Sequence, residues 1–444
     1  MAGVAAVPAT TTAESPKPAA SLDANAATAA TTKVPTAAEV AGRSGASRAP
    51  NAIPNLTLQT LANKMRQLTV FDLASLERRA ASGNPDAQVV LGLAYTQGTL
   101  LKNDPAKAIA LYRRAAEQEY TPAEEALGLA YQLGSGVAKN GARAVYWYTR
   151  AAQHGSLMGA DELGVMYSSG ENVGKDFAEA LKWYRLAAER GDATAEYNLA
   201  RMYHLGQGVP ANPAVEFQWL RKSADQKLPA AQYNLALMYQ EGIGVTPDLA
   251  AAVRLLHEAA GHGYTPAQTQ LGYVYLKGLG VPADYAQALE WYRKAAQQGE
   301  STAAYALSVW YFSGGNGVTQ DYGEAAKWTK VAAESGHPDA QYNLGVIYER
   351  GRGVPADEAE AAKWYRRAAE QAVGSAQFRL GMLYASGKGV PKDLVAAYQW
   401  LALSKATTPE SSAQLRSLEK EMTPGQIGDA QRAADQWRTT HQRQ

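Results

Sequence analysis

One interval governs this chain. Leu91, Leu127, Leu163, Leu199, Leu235, Leu271 and Leu307 follow one another every 36 residues; Leu344 comes after 37, because the stretch SGGNGV carries one extra residue, and Leu380 after 36 again. At 444 residues the chain exceeds one ordinary domain, and a fixed period of this length means one supersecondary unit repeated nine times in register. A unit this short cannot bury its apolar face alone, so neighbouring copies must supply one another's core.

The residues around each leucine define the unit. Tyrosine stands four positions later in all nine copies, glycine three further on, and alanine four before in eight, with Gly159 in the other. That spacing of i, i+4, i+8 sets Ala, Leu and Tyr on one side of a helix, and the glycine ends it. Each second half opens on Asp or Asn (Asp104, Asn140, Asp176, Asn212, Asp248, Asp284, Asp321, Asp357, Asp393), suited to accept the unpaired amide hydrogens of a helix start. Seven residues later comes Trp in seven copies and Leu111 or Leu255 in the other two, and an Ala pair such as Ala295-Ala296 then admits a close neighbour. Each unit is a helix hairpin.

The turns GSGV, GQGV, GIGV, GLGV, GRGV and GKGV look in outline like phosphate-cradling loops. None carries the Lys-Ser/Thr ending of a P-loop, and such a site does not recur in every unit of an array. Glycines at fixed offsets are what a tight helix-to-helix turn with positive φ requires.

The unit A-x-x-x-L-G-x-x-Y-x-x-G-x-G-V-x-x-D-x-x-x-A-x-x-W-Y-x-x-A-A-x-x-G resembles the Sel-1-like repeat, a relative of the tetratricopeptide repeat. The copy AQYNLGVIYERGRGVPADEAEAAKWYRRAAEQA, Ala340 to Ala372, matches almost throughout, and the resemblance covers about 320 residues. Departures are local: GTLL replaces the GxGV turn in repeat one, GENV in repeat three, and Ser404-Lys405 stands where the last Ala pair belongs. The resemblance implies an all-α fold, a right-handed α/α superhelix (solenoid) of nine hairpins with N- and C-terminal capping helices. It also implies a non-enzymatic scaffold or adaptor for a protein or peptide partner, of bacterial kind, with no cofactor.

Around the array, residues 1–50 are nearly all Ala, Thr, Pro, Ser, Gly and Val, a composition read as a disordered leader. Residues 51–83 are read as N-terminal capping helices, with Leu58, Leu61, Met65 and Leu68 on one face; 84–404 hold the nine repeats; 405–444 hold closing helices. In the last of these, Thr423-Pro424-Gly425-Gln426 reads as a helix start and Ile427, Ala430, Ala434 and Trp437 as its apolar stripe.

Composition bounds the rest. With 43 Lys and Arg against 42 Asp and Glu there is no basic stripe, so no nucleic acid partner is expected. The chain has no cysteine, which removes disulfides, thiolate metal sites and cysteine nucleophiles. No apolar run of about 18 residues is present to span a bilayer. The leader lacks the charged start and apolar stretch of a signal peptide, though the tail of one is an open alternative, and so are exported and cytoplasmic locations. His257 and His262 lie five apart with no third ligand, so no metal site is expected.

Candidate binding residues follow from rotation by 100° per residue away from the Ala-Leu-Tyr side. The opposite side falls at two before, one before, two after, five after and six after the leucine, on the first helices that line the concave face in related solenoids. There the consensus-breaking Arg201, His204, Tyr273, Phe312 and Arg379 join Tyr197, Tyr233, Tyr305, Tyr342 and Phe378. Aromatic and Arg side chains are the usual anchors of interfaces. The Tyr-Asn pairs Tyr233-Asn234 and Tyr342-Asn343 have a competing reading, the joining of adjacent repeats. A carbohydrate or peptidoglycan binder, or a toxin-neutralising immunity protein, is the alternative function.

Overall fold

The computed structural model describes residues 57–441, save 99, 172 and 316; the expected leader lies outside them. Among the described residues there are 22 helices, and the only extended pairing is an isolated bridge between Gly315 and Val318. That bridge absorbs the extra residue of repeat seven inside its turn. Helices α1 (Leu58–Arg66) and α2 (Val70–Ala81) precede nine hairpins running from α3 (Pro85–Gln97) to α20 (Leu394–Ser404), and α21 (Ser411–Leu418) and α22 (Pro424–His441) follow. The fold is an all-α solenoid.

The turns explain the period. In eight repeats the amide of the Asp or Asn cap donates to the carbonyl of the repeat's tyrosine nine residues earlier, as Asp248 does to Tyr239 at 2.9 Å; in repeat seven Asp321 reaches Tyr311 ten residues back. The cap side chain then accepts from the next turn's amides, as Asp284 does from Gln287 at 3.0 Å. The second glycine of the turn meets the preceding hairpin: a Cβ at Gly208, whose φ is +70°, would lie 2.5 Å from the Phe177 carbonyl oxygen.

Within hairpins, side-chain sizes are matched in pairs. The residue after each leucine faces the residue after the Trp position, and a Cβ on Gly128 would fall 2.6 Å from the Tyr148 ring. Gly164 faces Tyr184, Gly272 faces Tyr292 and Gly345 faces Tyr365 in the same way. Where the glycine becomes Ala200 or Ala236, the partner position holds Leu220 or Leu256. In these two repeats the added methyl on one helix is met by a smaller side chain on the other, as close packing demands, whereas Gly381 faces Leu401.

The chain divides into two compact units, one ending at Lys222 and one beginning at Ser223. In each, a first helix packs on its own second helix and on the second helix of the preceding repeat. Leu127, Leu163 and Leu199 in the first unit and Leu271, Leu307 and Leu380 in the second are fully buried. Each contributes roughly 1.5–3 kcal/mol of apolar burial. The repeat tyrosines depart from the expected core role: only Tyr131 and Tyr311 are buried, and the others are half-exposed. Their hydroxyls instead receive basic groups from the preceding repeat: Tyr203 accepts from Arg185 at 3.2 Å, and Tyr275 bonds His257 Nε2 at 3.0 Å. Arg113 likewise donates to Tyr131 at 3.0 Å and Arg366 to Tyr384, so the YRR runs of repeats one and eight send their first arginine into a junction.

A buried polar seam also crosses each unit, three residues before the leucine. In the C-terminal unit it is an amide ladder: Gln341 donates to the Ala333 carbonyl at 3.1 Å and accepts from Gln371 at 2.7 Å, and Gln268 repeats this with Ala260 and Gln298. The N-terminal unit begins the same way at Gln88, then places Glu124 there, fully buried. Its Oε2 lies 2.7 Å from His154 Nδ1, and its Oε1 lies 3.0 Å from Arg150 Nε without hydrogen-bond alignment, so that oxygen is compensated by charge. The Glu124 bond holds the His154 imidazole above its ordinary pKa.

At the C-terminus, Thr423 and Gln426 exchange the expected capping bonds at 2.9 and 3.3 Å. Ala430 and Ala434 are buried, and Trp437 meets Trp400 of the last repeat edge-on at 6.2 Å.

Candidate functional site: the inner face of the first helices

Successive first helices touch in repeats one to three of the N-terminal unit and in repeats six and seven of the C-terminal unit, and no pair of successive second helices comes as close among the described residues. The first helices are therefore the tighter, inner layer of each unit. Their outward-rotated positions form the candidate surface.

In the N-terminal unit part of this face is already occupied. Helix α1 rests on α3 and on the first helix of repeat two, α5 (Thr121–Leu133), with Leu61 and Met65 buried at 0% and 1% exposure. Its Leu58 amide donates to Glu125 Oε2 at 3.1 Å, and Ser156, the cap of the next repeat's first helix, donates to Oε1 at 2.6 Å. Under α1 the positions two and one before the leucine, Val89, Val90, Glu125 and Ala126, are all buried; in repeats four to nine these positions are half-open except Gln270. Beyond α1, Asp161 accepts from Asn198 at 3.0 Å, and burial pushes its carboxyl up to about 7. Burial likewise raises the carboxyls of Glu125 and Glu162. Of the expected residues here, Arg201 is exposed with its guanidinium 5.9 Å from the half-buried Tyr197 ring, and the exposed His204 pairs with Glu216 of its own hairpin at 3.0 Å.

In the C-terminal unit the expected residues are all half-buried. Tyr233 packs on Tyr264 at 5.6 Å and Tyr305 stacks on His337 at 4.3 Å, each partner beginning the next repeat. Tyr342 lies 5.7 Å from Tyr365, and Arg379 reaches Glu349 at 3.5 Å. Phe312 meets Tyr322 edge-on at 5.4 Å under Arg352, and Tyr273 and Phe378 lie half-open along the same face. Contact between adjacent repeats thus holds for Tyr233, as the junction reading expects, and for Tyr305, whereas the ring partner of Tyr342 lies in its own hairpin. Sequence reasoning missed Glu125, Asp161, Glu162 and the seat of α1. The signal was present in the column two before the leucine, where repeats one to three hold Val89, Glu125 and Asp161 and most later repeats hold Tyr or Phe.

Among the described residues the buried acids have structural partners: Glu124 has His154 and Arg150, Glu125 the Leu58 amide and the Ser156 hydroxyl, Asp161 has Asn198 and Glu216 has His204, while His257 is engaged by Tyr275 and edge-on to Trp291. The fold is a helix-hairpin solenoid whose first helices form the inner layer of each unit. The Sel1 repeat family matches nine successive stretches, residues 85–120, 121–156, 158–192, 193–228, 229–264, 265–300, 301–337, 338–373 and 374–405. The chain belongs to the Sel1-repeat family, whose members generally serve as protein-interaction scaffolds; no enzyme family matches.

Among solved structures, a Sel1 repeat protein from Oxalobacter formigenes is 30% identical, covering 78% of this chain and 99% of its own at a TM-score of 0.56. A protective antigen of uropathogenic Escherichia coli with an SLR fold is 34% identical over 84% of this chain and 95% of its own, at 0.38. An immunity protein of Pseudomonas aeruginosa, Pa5087, is 22% identical over 48% and 81%, at 0.34. No curated protein matches. No helix among the described residues is long and apolar enough to cross a membrane.

Proposed function

We propose that this protein is a non-enzymatic interaction scaffold that binds a protein or peptide along the inner face of its first helices. One observation carries this reading: the chain's own helix α1 is seated on that face in repeats one and two, so the surface accepts a polypeptide segment with burial of Leu61 and Met65. In the N-terminal unit the exposed Arg201 of repeat four extends the surface away from α1; in the C-terminal unit the half-buried Tyr273 and the exposed Val309 stand at the equivalent positions of repeats six and seven. Arg379 contributes less, because its charge is committed to Glu349.

The test is a pull-down from native lysate with the intact protein beside a variant carrying Arg201→Glu, Tyr273→Ala and Val309→Asp, both shown helical by circular dichroism. Loss of a partner from the variant alone is the expected result. A partner kept by both would move recognition off the inner face.

A further inference from the structure

The inner face of the N-terminal unit carries an apolar strip outside the unit's core. Leu129 and Leu133, 38% and 66% exposed, stand one turn apart on α5, and Leu205, 51% exposed, takes Leu133's place on the first helix of repeat four. Val165, half-buried against the edge of the core, takes Leu129's place in repeat three, where Ser169 stands between Leu133 and Leu205. Single exposed leucines need no explanation, but a row at equivalent positions of one face does. Beside this row run the carboxylates of Asp161 and Glu162, neither of them ion-paired to Lys or Arg among the described residues, and Arg201 closes the acidic stretch in repeat four.

A segment of complementary chemistry already sits where this strip begins. Helix α1 carries Lys64 and Arg66 and no acidic residue, buries Leu58, Leu61 and Met65 at i, i+3, i+7, and presents its N-terminal amide to Glu125. The positive end of a helix and a carboxylate attract. An extended peptide would find little backbone to pair with on a face made of helices, whereas a helix satisfies its own amides and carbonyls.

We propose that the strip continuing from α1 across repeats two to four is the docking site for a basic amphipathic helix of a partner protein, its apolar side on Leu129, Leu133, Val165 and Leu205 and its cations against Asp161 and Glu162. This rests on the scaffold reading and names the partner's chemistry. The C-terminal unit lacks the combination: it too is apolar two after the leucine, as at Tyr273 and Val309, but in the places of Asp161 and Glu162 it has no carboxylate, holding Tyr233-Asn234 and Tyr305-Ala306 among others, and its Arg379 is paired with Glu349.

The probe is a fluorescein-labelled peptide of residues 57–69, held helical by a staple replacing the exposed Gln59 and Asn63, beside a charge-reversed copy with Lys64→Glu and Arg66→Glu. With the full chain, fluorescence anisotropy is expected to show saturable binding of the first peptide and at least tenfold weaker binding of the second. Leu205→Asp, outside the seat of α1, is expected to weaken binding at least tenfold, as is Asp161→Asn with Glu162→Gln; Tyr285→Ala, at an exposed position on a second helix, is expected to leave it unchanged. All four positions are partly or wholly open except Asp161, and circular dichroism checks that every variant folds. Equal affinity for the two peptides, or full affinity in Leu205→Asp, overturns the proposal, the latter by showing exchange into α1's own seat. Absence of peptide binding, with a lysate partner still lost from the inner-face variant above, overturns the basic-helix chemistry and leaves the scaffold reading intact.

Discussion

The two units solve one problem with different chemistry. Both bury polar side chains three residues before the leucine, except at Ala160 and Ala304. The C-terminal unit uses neutral amides, Gln268 and Gln341, whose donors and acceptors are met by Ala carbonyls and by Gln298 and Gln371. The N-terminal unit uses an ionic group of Glu124, Arg150 and His154 at the equivalent junction. Amides tolerate any pH and any single loss at moderate cost. A buried carboxylate makes the junction sensitive to both, because an uncompensated charge in a low dielectric costs far more than an unmade neutral hydrogen bond.

Removing one member of each seam tests this contrast most strongly. Arg150→Ala leaves the fully buried Glu124 with only His154, and is expected to destabilise the N-terminal unit by about 3–5 kcal/mol. Glu124→Gln is expected to stay within about 1 kcal/mol of the parent, since it recreates the amide rung. Urea denaturation with hydrogen exchange read separately in each unit measures both, and an Arg150→Ala cost below that of Glu124→Gln would end the comparison.

Next in size, Gln341→Leu is expected to cost roughly 1–3 kcal/mol in the C-terminal unit, by removing two hydrogen bonds of about 0.5–1.5 kcal/mol each, while Gly336 still serves the Ala333 carbonyl and the Gln371 amide. Gln232 sharpens this. Among the described residues its Oε1 is buried without a hydrogen-bond partner and its amide donates to Glu258, so Gln232→Leu is expected to cost less than about 1 kcal/mol. Equal costs at the two positions would show that the ladder contributes through packing rather than through its bonds.

The pH dependence is expected to have opposite sign in the two units. His154 is held above its ordinary pKa, so its contribution is complete below about 6.5 and is lost as pH rises through the folded value. Burial raises Asp161 to about 7 and also raises Glu125 and Glu162, so their charged forms destabilise the fold above those values and the penalty is relieved on acidification. In the C-terminal unit desolvation lowers both His257 and His337, so folding must exclude their protonation and stability falls as pH drops through about 6.5. Going from pH 8 to 5.5, protection in hydrogen exchange should rise in the N-terminal unit and fall in the C-terminal one, each by on the order of 1 kcal/mol. A common sign would remove the ionic seam as the cause.

Much of the fold was legible because it is periodic. Leucines every 36 residues, cap residues at fixed offsets and the capping motif at Thr423 each specify a local geometry, and nine repetitions make the pattern unambiguous. The candidate face was half legible. Rotation about a helix axis found Arg201, Tyr273 and Tyr305 on it, but gave no weight to what the next repeat lends. Tyr305 stacks on His337, 32 residues away, and Arg379 is tied to Glu349, 30 away, so neither is as available as its helix position suggests.

By itself, then, the sequence determined the number of hairpins, their caps and turns, and which side of each first helix is core, because these follow from bonds and contacts within about ten residues or from a period repeated nine times. Tertiary structure alone decided that α1 lies across the inner face of repeats one and two, that Glu124 is buried against Arg150 and His154, and that the tyrosine hydroxyls join neighbouring repeats. Those outcomes depend on the burial and charge that separate elements impose on one another, which no single helix carries in its own pattern.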